Sequence, residues 1–253
     1  MESTEASRSL IVIPTYNEAE NLESLVSAIS GLDAGFEILV VDDNSPDGTG
    51  EIADRLSQEL PGIYVLHRPG KMGLGTAYVE GFRWAIAREY DYVFEMDCDF
   101  SHHPSYLPTF LTEITSADLV IGSRYVDGGS TPSWGFLRKF ISRGGNFFAR
   151  AMLGLRTHDC TGGFRCYRRS MLQRVPWDEI RLQGYGFQVG AAYYVERLGG
   201  RVAGFPIVFR DRQAGKSKMS LKIVIEAFSY VIRLALSGKG RRYGRKLESE
   251  ALG

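Results

Sequence analysis

The chain has 253 residues, of which 44% are hydrophobic and 24% are charged. This composition is typical of a globular protein and excludes a wholly disordered or low-complexity chain. Its 30 lysines and arginines balance 30 aspartates and glutamates, so the sum indicates neither nucleic acid nor another polyanionic partner. The length favours one α/β domain over residues 1–236, followed by a basic tail over residues 237–253.

The charges are unevenly distributed along the chain. Residues 1–60 are rich in aspartate and glutamate, and their only basic side chains are Arg8 and Arg55. Residues 201–246 are rich in lysine and arginine, and their only acidic side chains are Asp211 and Glu226. This asymmetry predicts that an anionic partner binds near the C-terminal end.

The sequence contains no signal for export, zinc binding or membrane spanning. Its three cysteines, Cys98, Cys160 and Cys166, form no Cys-x-x-Cys or Cys/His pattern, which favours a reduced, cytoplasmic setting. The polar N-terminus is unlike a signal peptide, and no uncharged apolar run is long enough to cross a bilayer. We therefore expect a soluble protein or one bound peripherally to the cytoplasmic face of a membrane.

Apolar runs and helical periodicity alternate along the first two thirds of the chain. The runs predict strands over residues 10–13, 36–41, 63–66, 92–96 and 118–121. The periodicity predicts helices over residues 17–31, 49–60, 75–88 and 134–153. Strands that are apolar on both faces and alternate with helices predict a mostly parallel sheet covered by helices. In such sheets ligands bind beyond the carboxyl ends of the strands, which is where the acidic residues occur here.

An Asp-x-Asp motif follows the fourth predicted strand. If this segment stays extended, Asp97, Asp99 and Ser101 share one face. Their oxygen atoms suit a hard cation such as Mg²⁺, and a diphosphate would complete the coordination. The alternative is a pair of solvated carboxylates in a turn. Imidazole suits softer metals, so His102 and His103 are interpreted as surface or hydrogen-bonding groups rather than ligands.

The second predicted strand ends in an Asp-Asp pair and a turn. A carboxylate here can accept hydrogen bonds from ribose or a base, and we assign that contact to Asp43. The turn can also cap the following helix through Asp47 or Thr49, and Asp47 is interpreted as a structural residue. The glycine-rich residues 70–75 fail the dinucleotide fingerprint, because they follow the third strand and Tyr78 replaces the third glycine. They can face phosphates or form a plain loop.

Several arginines can bind phosphate through their planar forks. Arg124 follows the fifth predicted strand, while Arg138 and Ser142 lie four residues apart on one helix face. Each arginine taken singly is most simply a surface charge. Together they predict a second anion pocket beside the metal site.

A series of motifs resembles the dolichol-phosphate (polyprenol-phosphate) mannose synthases, which are inverting family 2 glycosyltransferases with the GT-A fold. The resemblance extends over residues 9–236. The motifs occur in this order: PTYNE (14–18), DDNSPDGT (42–49), GLGTA (73–77), DCDFSHHP (97–104), ISRG (141–144), TGGFR (161–165) and GKSK (215–218).

The resemblance implies a GDP-mannose donor, a divalent cofactor (Mg²⁺ or Mn²⁺) and a polyprenyl or dolichyl phosphate acceptor. The implied nucleoside contacts are Pro14, Tyr16, Glu18, Val41 and Asp43, and the implied metal and diphosphate contacts are Asp97, Cys98, Asp99 and Ser101. Arg124, Arg212 and Lys218 match positions for the phosphate and sugar region, and Arg124, Arg138 and Ser142 match the acceptor phosphate. Asp97, Asp99 and Arg124 are the implied catalytic residues.

Two positions depart from the common family pattern. Cys98 replaces the usual alanine and is expected to contribute only its backbone. Ser101 replaces the glutamine of some members, and its hydroxyl is a weaker ligand that can act through water. The implied reaction needs no general base, because a phosphate monoester is largely dianionic near neutral pH.

Residues 221–236 predict an amphipathic helix close to the C-terminus. Its polar side chains, Lys222, Glu226, Ser229 and Arg233, form one narrow stripe. The basic residues beyond it are attractive to an anionic membrane. We expect peripheral membrane binding, either direct or through a small partner membrane protein. The alternative is a helix packed on the core and followed by a solvated tail.

Three alternative functions compete with mannosyl transfer. The nearest is transfer of glucose from UDP-glucose to polyprenyl phosphate, which keeps the fold and changes the donor. A polysaccharide synthase is disfavoured, because the Gln-x-x-Arg-Trp motif is missing and EGFRW at residues 80–84 precedes the Asp-x-Asp. A non-catalytic nucleotide-binding or scaffold protein would be expected to lack a metal carboxylate or an arginine, and all are present.

Overall fold

The computed structural model describes residues 7–180, 184–211 and 221–237, with side chains from Glu226 onward in the last segment. The strands are β1 (Ser9–Thr15), β2 (Phe36–Asp42), β3 (Ile63–His67), β4 (Tyr92–Glu95), β5 (Leu119–Ser123), β6 (Arg165–Arg168) and β7 (Val202–Pro206). The helices are α1 (Leu22–Ser30), α2 (Thr49–Glu59), α3 (Leu74–Ala87), α4 (Leu107–Glu113), α5 (Phe136–Leu153), α6 (Arg169–Leu172), α7 (Tyr185–Arg197) and α8 (Leu221–Leu236). Short 3-10 helices occupy Pro104–Tyr106, Ile114–Ser116 and Trp177–Glu179.

The strands form one sheet in the order β3-β2-β1-β4-β6-β5-β7. Only β6 runs against its neighbours, β4 and β5, and the other described pairs are parallel. One face of the sheet packs against α1, α2 and α4, and the other packs against α3, α5, α7 and α8. The predicted mostly parallel α/β sheet is therefore confirmed, with β6 and β7 as additions that the apolar runs did not reveal.

The chain leaves β1 differently from the prediction. The strand continues past residue 13, since Pro14 pairs with Val41 and Thr15 with Asp42. Pro14 lies beyond the last residue that pairs with β4, where a missing N–H is tolerated. Helix α1 begins at Leu22 rather than at residue 17, because Asn17 has a φ of 58° and a turn follows it.

Helix α3 lies against the central strand β1 at very short range. Gly81 allows this approach, since a Cβ built there would lie 2.4 Å from Cγ1 of Val12. The close packing brings the N-terminal end of α3 to the carboxyl edge of the sheet, beside the predicted site.

The C-terminal helix α8 has the predicted bounds and packs against α5 and α7. Val231 and Leu234 are buried, and the rings of Phe228 and Phe148 lie 4.7 Å apart. The core-packed alternative is thus correct for this face, whereas Ile232 and Leu236 are exposed. Within the described ranges, none of the helices has the length and apolar character needed to cross a membrane.

Some predictions concern residues outside the described part of the chain. These are the roles of Arg212 and Lys218 and the basic tail beyond Ser237. They stay predictions, as does the domain boundary at residue 236.

Candidate active site

The predicted site residues gather at one edge of the sheet. Because β1, β2, β4 and β5 run in the same direction, their carboxyl ends meet there. Glu18, Asp43, Asp97 and Arg124 follow or end these strands. The predicted convergence of the acidic strand ends is confirmed.

The Asp-x-Asp segment turns back after β4, so the predicted extended conformation is wrong. Phe100 has a φ of 58°, and the N–H of Ser101 donates to Oδ1 of Asp99 at 3.0 Å. Asp97 is half-buried and accepts a hydrogen bond from the Tyr78 hydroxyl at 3.2 Å. The turn thus folds Ser101 back towards Asp99. In an extended strand the two side chains would share a face without this contact.

The donor set at this turn fits a hard divalent cation. Asp99 and Ser101 are both buried, and Oγ of Ser101 has no hydrogen-bond partner among the described residues. Two carboxylates and this hydroxyl are the oxygen ligands that Mg²⁺ and Mn²⁺ accept. Burial raises the pKa of the Cys98 thiol well above its usual range, so its side chain stays protonated. No group of three or more His, Cys, Asp or Glu side chains that could hold a metal occurs in the described part of the chain.

The two histidines after the motif are hydrogen-bonding groups, as predicted. His102 is buried against the ring of Phe164, with ring centroids 4.9 Å apart. Its Nδ1 accepts the N–H of Asp97 at 3.3 Å, and burial lowers the pKa of His102 to about 4. His103 instead caps the next 3-10 helix by accepting the N–H of Ser105.

Asp43 is held by an arginine that the sequence analysis did not select. Nε of Arg68 lies 2.5 Å from Oδ1 of Asp43, and the N–H of Met72 donates to Oδ2 at 3.2 Å. Both charged side chains are buried. Arg68 also donates to Oγ1 of Thr76 and to the carbonyl of Gly73. The glycine-rich loop is therefore tied to Asp43 rather than being a plain connection.

The other predicted nucleoside residues surround Asp43. Pro14 is half-buried and pairs with the buried Val41, while Nζ of Lys71 lies 4.3 Å from the centroid of the Tyr16 ring. The backbone N–H of Glu18 donates to Oγ1 of Thr49 at 3.0 Å. These contacts hold the ends of β1 and β2 together at the predicted nucleoside site.

Asp47 has the predicted structural role, although the N-cap of α2 is Gly48. Its Oδ1 accepts the backbone N–H and the hydroxyl of Thr49 at the start of α2, and its Oδ2 accepts the N–H of Ala19. Although burial acts to raise the pKa of Asp47, these hydrogen bonds lower it overall. This carboxylate stabilises the helix start and the neighbouring loop.

Arg124 is buried against a carboxylate that lies 35 residues further along the chain. Asp159 accepts three of its hydrogen bonds, from the backbone N–H at 3.0 Å, from Nε at 2.8 Å and from Nη2 at 2.6 Å. Nη2 also donates to Oγ1 of Thr161. Although burial acts to raise the pKa of Asp159, the Arg124 guanidinium lowers it overall. Asp159 therefore orients Arg124 and neutralises much of its charge, so contact of Arg124 with phosphate stays a prediction.

Arg138 and Ser142 lie on the same face of α5, as predicted, and line an apolar cavity between α5, α7 and α8. Nη1 of Arg138 donates to Asp211 at 2.6 Å, and Oγ of Ser142 accepts from the Tyr125 hydroxyl at 2.6 Å. Trp134 also lines this cavity, and its ring lies 4.1 Å from the Arg138 guanidinium. Nε1 of Trp134 and Nε of Arg138 are buried without a partner in the described ranges. Trp134 carries no motif that could have identified it from sequence.

Comparison with known proteins places this geometry in a family. Residues 10–175 match the model of the glycosyl transferase family 2. The chain belongs to glycosyl transferase family 2. This confirms the family resemblance that the motif series indicated.

Two characterised relatives match almost the whole chain. An undecaprenyl-phosphate mannosyltransferase from Micrococcus luteus is 47% identical over 92% of this chain and 96% of its own. A polyprenol monophosphomannose synthase from Mycolicibacterium smegmatis is 42% identical over 92% of this chain and 88% of its own.

The fold also recurs in solved structures. Glucosyl-3-phosphoglycerate synthase from Mycobacterium tuberculosis, solved with Mn²⁺, UDP and glucosyl-3-phosphoglycerate, matches with a TM-score of 0.63 and 24% identity. The match covers 91% of this chain and 79% of that one. The GT-A fold class predicted from the motifs is thereby confirmed.

Proposed function

We propose that this family 2 glycosyltransferase moves mannose from GDP-mannose to the phosphate of a polyprenyl or dolichyl phosphate. The names of both characterised relatives support mannose as the sugar and a polyprenyl phosphate as the acceptor. They do not favour the alternative transfer of glucose from UDP-glucose. The product would be a polyprenyl-phosphate mannose, a lipid-linked sugar for later glycosylation.

The observation that carries this proposal is the cavity between α5, α7 and α8. Its walls are mostly apolar, among them Phe148 and Val189, so a hydrocarbon chain fits it better than a sugar does. Arg138 and Trp134 both line this region, and each has a buried donor without a described partner. A phosphate at the head of an apolar chain would satisfy these donors, and Ser142 lies on the same wall.

The donor would bind at the carboxyl ends of β1, β2 and β4. Asp43, fixed by Arg68, would contact the nucleoside, together with Pro14, Tyr16, Glu18 and Val41. Asp97, Asp99 and Ser101 would hold Mg²⁺ or Mn²⁺, which when bound neutralises charge on the diphosphate and makes it a better leaving group. A solved structure of the same fold, the M. tuberculosis synthase, contains Mn²⁺ and UDP, which supports a divalent metal and a nucleotide as ligands.

The chemistry is a single displacement at the anomeric carbon. A phosphate oxygen of the acceptor forms the new bond to this carbon, the bond to the diphosphate breaks with inversion, and GDP leaves. The nucleophile is already ionised, so no side chain has to remove a proton. Arg138 and Ser142 would position the acceptor phosphate. Arg124, which Asp159 holds in place, would contact phosphate oxygens.

A lipid acceptor also requires contact with a bilayer surface. The outer face of α5 supports such contact, because Phe136, Phe140 and Phe147 are 85%, 66% and 73% exposed. Ile232 and Leu236 of α8 are also exposed. The sequence placed the membrane contact on the C-terminal helix, and we now extend it to α5. The cytoplasmic face and a small membrane-protein partner stay predictions.

The test is transfer of radiolabelled sugar to a short polyprenyl phosphate in detergent. We expect label from GDP-mannose, and not from UDP-glucose, to enter the organic phase when Mg²⁺ or Mn²⁺ is present. The variants Asp99→Asn and Arg138→Gln should lose most of this transfer. Asp54→Asn removes an exposed carboxylate on α2, and this variant should keep the transfer activity.

Two further measurements separate the parts of the proposal. Nucleotide binding should fall in Asp99→Asn when metal is present, yet persist in Arg138→Gln, whose defect should lie in acceptor use. Label from UDP-glucose alone would refute the donor. Full activity of Arg138→Gln at limiting acceptor would refute the assignment of the cavity.

A further inference from the structure

A second, polar cavity lies on another side of α5, and hydrogen bonds from Tyr125 to Ser142 and from Asn146 to Thr161 connect its lining to that of the apolar one. Its volume is about 500 Å³, and its lining includes Arg124, Arg143, Arg150 and His158. Asp127 is the only acidic side chain of this lining, and it is exposed. Because Asp159 already pairs with Arg124, the cations left for a ligand are those of Arg143 and Arg150.

These two arginines have no carboxylate partner among the described residues. Nε of Arg150 is buried and has no hydrogen-bond partner there. Arg150 lines the cavity, so an anion bound there can pair with its guanidinium, which the described residues leave without a countercharge. A phosphate group suits paired arginines, since each can donate two parallel hydrogen bonds.

The position of the arginines on α5 indicates where that phosphate comes from. Phe136, Phe140, Arg143, Phe147 and Arg150 follow one another at spacings of four, three, four and three, so they form one stripe along the helix. The three phenylalanines are strongly exposed. A stripe that alternates exposed aromatic rings with arginines matches the boundary between lipid chains and head-group phosphates.

We propose that the cavity lined by Arg143, Arg150 and His158 binds the phosphate of an anionic membrane lipid other than the acceptor. Bound there, the head group fixes α5 at the bilayer with its phenylalanines inserted. The α5 residues that line the apolar cavity, such as Ser142 and Gly145, lie on the other face of this helix. This inference rests on the proposed membrane association, and it adds a specific lipid site to it.

The test compares two double variants that lose the same charge. Arg143→Gln with Arg150→Gln empties the cavity of its unpaired cations. Lys139→Gln with Arg233→Gln is the matched control, since both residues lie on α5 and α8 but outside the cavity lining. Diffuse attraction to an anionic surface should fall equally in both, because it follows the number of charges.

Binding is measured by co-sedimentation with phosphatidylcholine vesicles, with and without phosphatidylglycerol. We expect the cavity variant to lose about tenfold more affinity for the phosphatidylglycerol vesicles than the control, which corresponds to the loss of about one charge-assisted hydrogen bond. Both variants should bind pure phosphatidylcholine like the parent. Inorganic phosphate should raise the thermal midpoint of the parent and the control saturably, and it should raise that of the cavity variant clearly less, because that variant keeps only the acceptor site.

Equal losses in the two double variants would overturn the proposal, as would the absence of a saturable phosphate effect in the parent. A phosphate effect without any preference for phosphatidylglycerol would overturn the lipid source. Failure of sugar transfer in detergent would instead count against the proposed function. If the parent and both double variants fail to bind phosphatidylcholine vesicles, the proposed insertion of the phenylalanines of α5 is wrong.

Discussion

The buried pair of Arg124 and Asp159 predicts a large stability loss in the variant Asp159→Asn. Asp159 is 1% exposed and accepts three hydrogen bonds from Arg124. An asparagine of the same size keeps one oxygen acceptor, but it leaves the guanidinium buried without a countercharge. Removing one partner of a buried ion pair costs about 3–5 kcal/mol. Such a loss is a large fraction of a typical folding free energy of about 5–15 kcal/mol.

The loss is measurable by urea unfolding followed through tryptophan fluorescence. Asp127→Asn is the control on the neighbouring loop, where an exposed carboxylate should matter by less than about 0.5 kcal/mol. The double variant Arg124→Met with Asp159→Asn removes both charges, so it should lose clearly less than the sum of the two single losses. A loss below about 1 kcal/mol in Asp159→Asn, or strict additivity, would refute the reasoning.

The acid side of the stability profile provides a second readout for the same pair. The folded state lowers the pKa of Asp159, so the ionised carboxylate contributes its full stability above the unfolded pKa near 4. That contribution is lost as the pH falls through the lower, folded pKa. The variant Asp159→Asn should therefore show a smaller loss of stability on acidification than the parent.

Three further predictions concern packing, a buried histidine and the donor site. Gly81→Ala should cost about 1–3 kcal/mol in urea unfolding because its methyl group meets β1, whereas Gly144→Ala on α5 has open space and should be neutral or stabilising. The folded pKa of His102 is about 4, below its unfolded value near 6.5. The free energy of unfolding should therefore decrease as the pH falls from about 6.5 to about 4, because the unfolded state binds a proton that the folded state does not. The variant His102→Gln should lack this pH dependence. Arg68→Lys keeps the charge but loses the fork that holds Asp43, so the KM for donor should rise about tenfold with a smaller change in kcat, measured by initial rates.

The parallel part of the sheet was predictable because its strands are buried on both faces. Such strands are near-continuous apolar runs between turn residues, and β1, β2 and β4 are of this kind. Strand β6 was not predictable, because it begins with Arg165 and ends with Arg168. Arg165 is completely buried there and donates to the carbonyls of Cys160, Gly162 and Gln188. A charged residue in a short segment normally indicates exposure.

The candidate site was predictable only where chemistry and sequence position coincide. Asp97 and Asp99 occur together at a strand end, so their pairing needed no long-range information. Arg68 and Asp159 meet their partners across 25 and 35 residues and belong to no short pattern that the charge analysis could detect. The turn at Phe100 was also hidden, because a positive φ at a phenylalanine is uncommon and depends on surrounding contacts.

The structure also changes where the charge asymmetry of the chain has its effect. The acidic excess of residues 1–60 is partly neutralised locally, since Arg8 pairs with Glu37, Arg55 with Glu23, and Arg68 from just beyond this segment with Asp43. Of these pairs, the one between Arg68 and Asp43 lies at the nucleoside side of the site, whereas Arg8 and Glu37 lie at the opposite end of β1 and β2. The sequence placed the anion-binding surface at residues 201–246. Within the described residues, Arg143 and Arg150 of α5, which follow exposed aromatic residues on the same stripe, are better candidates for binding an anion. The same helix borders the apolar cavity, so the proposed membrane contact and the proposed acceptor site both depend on α5.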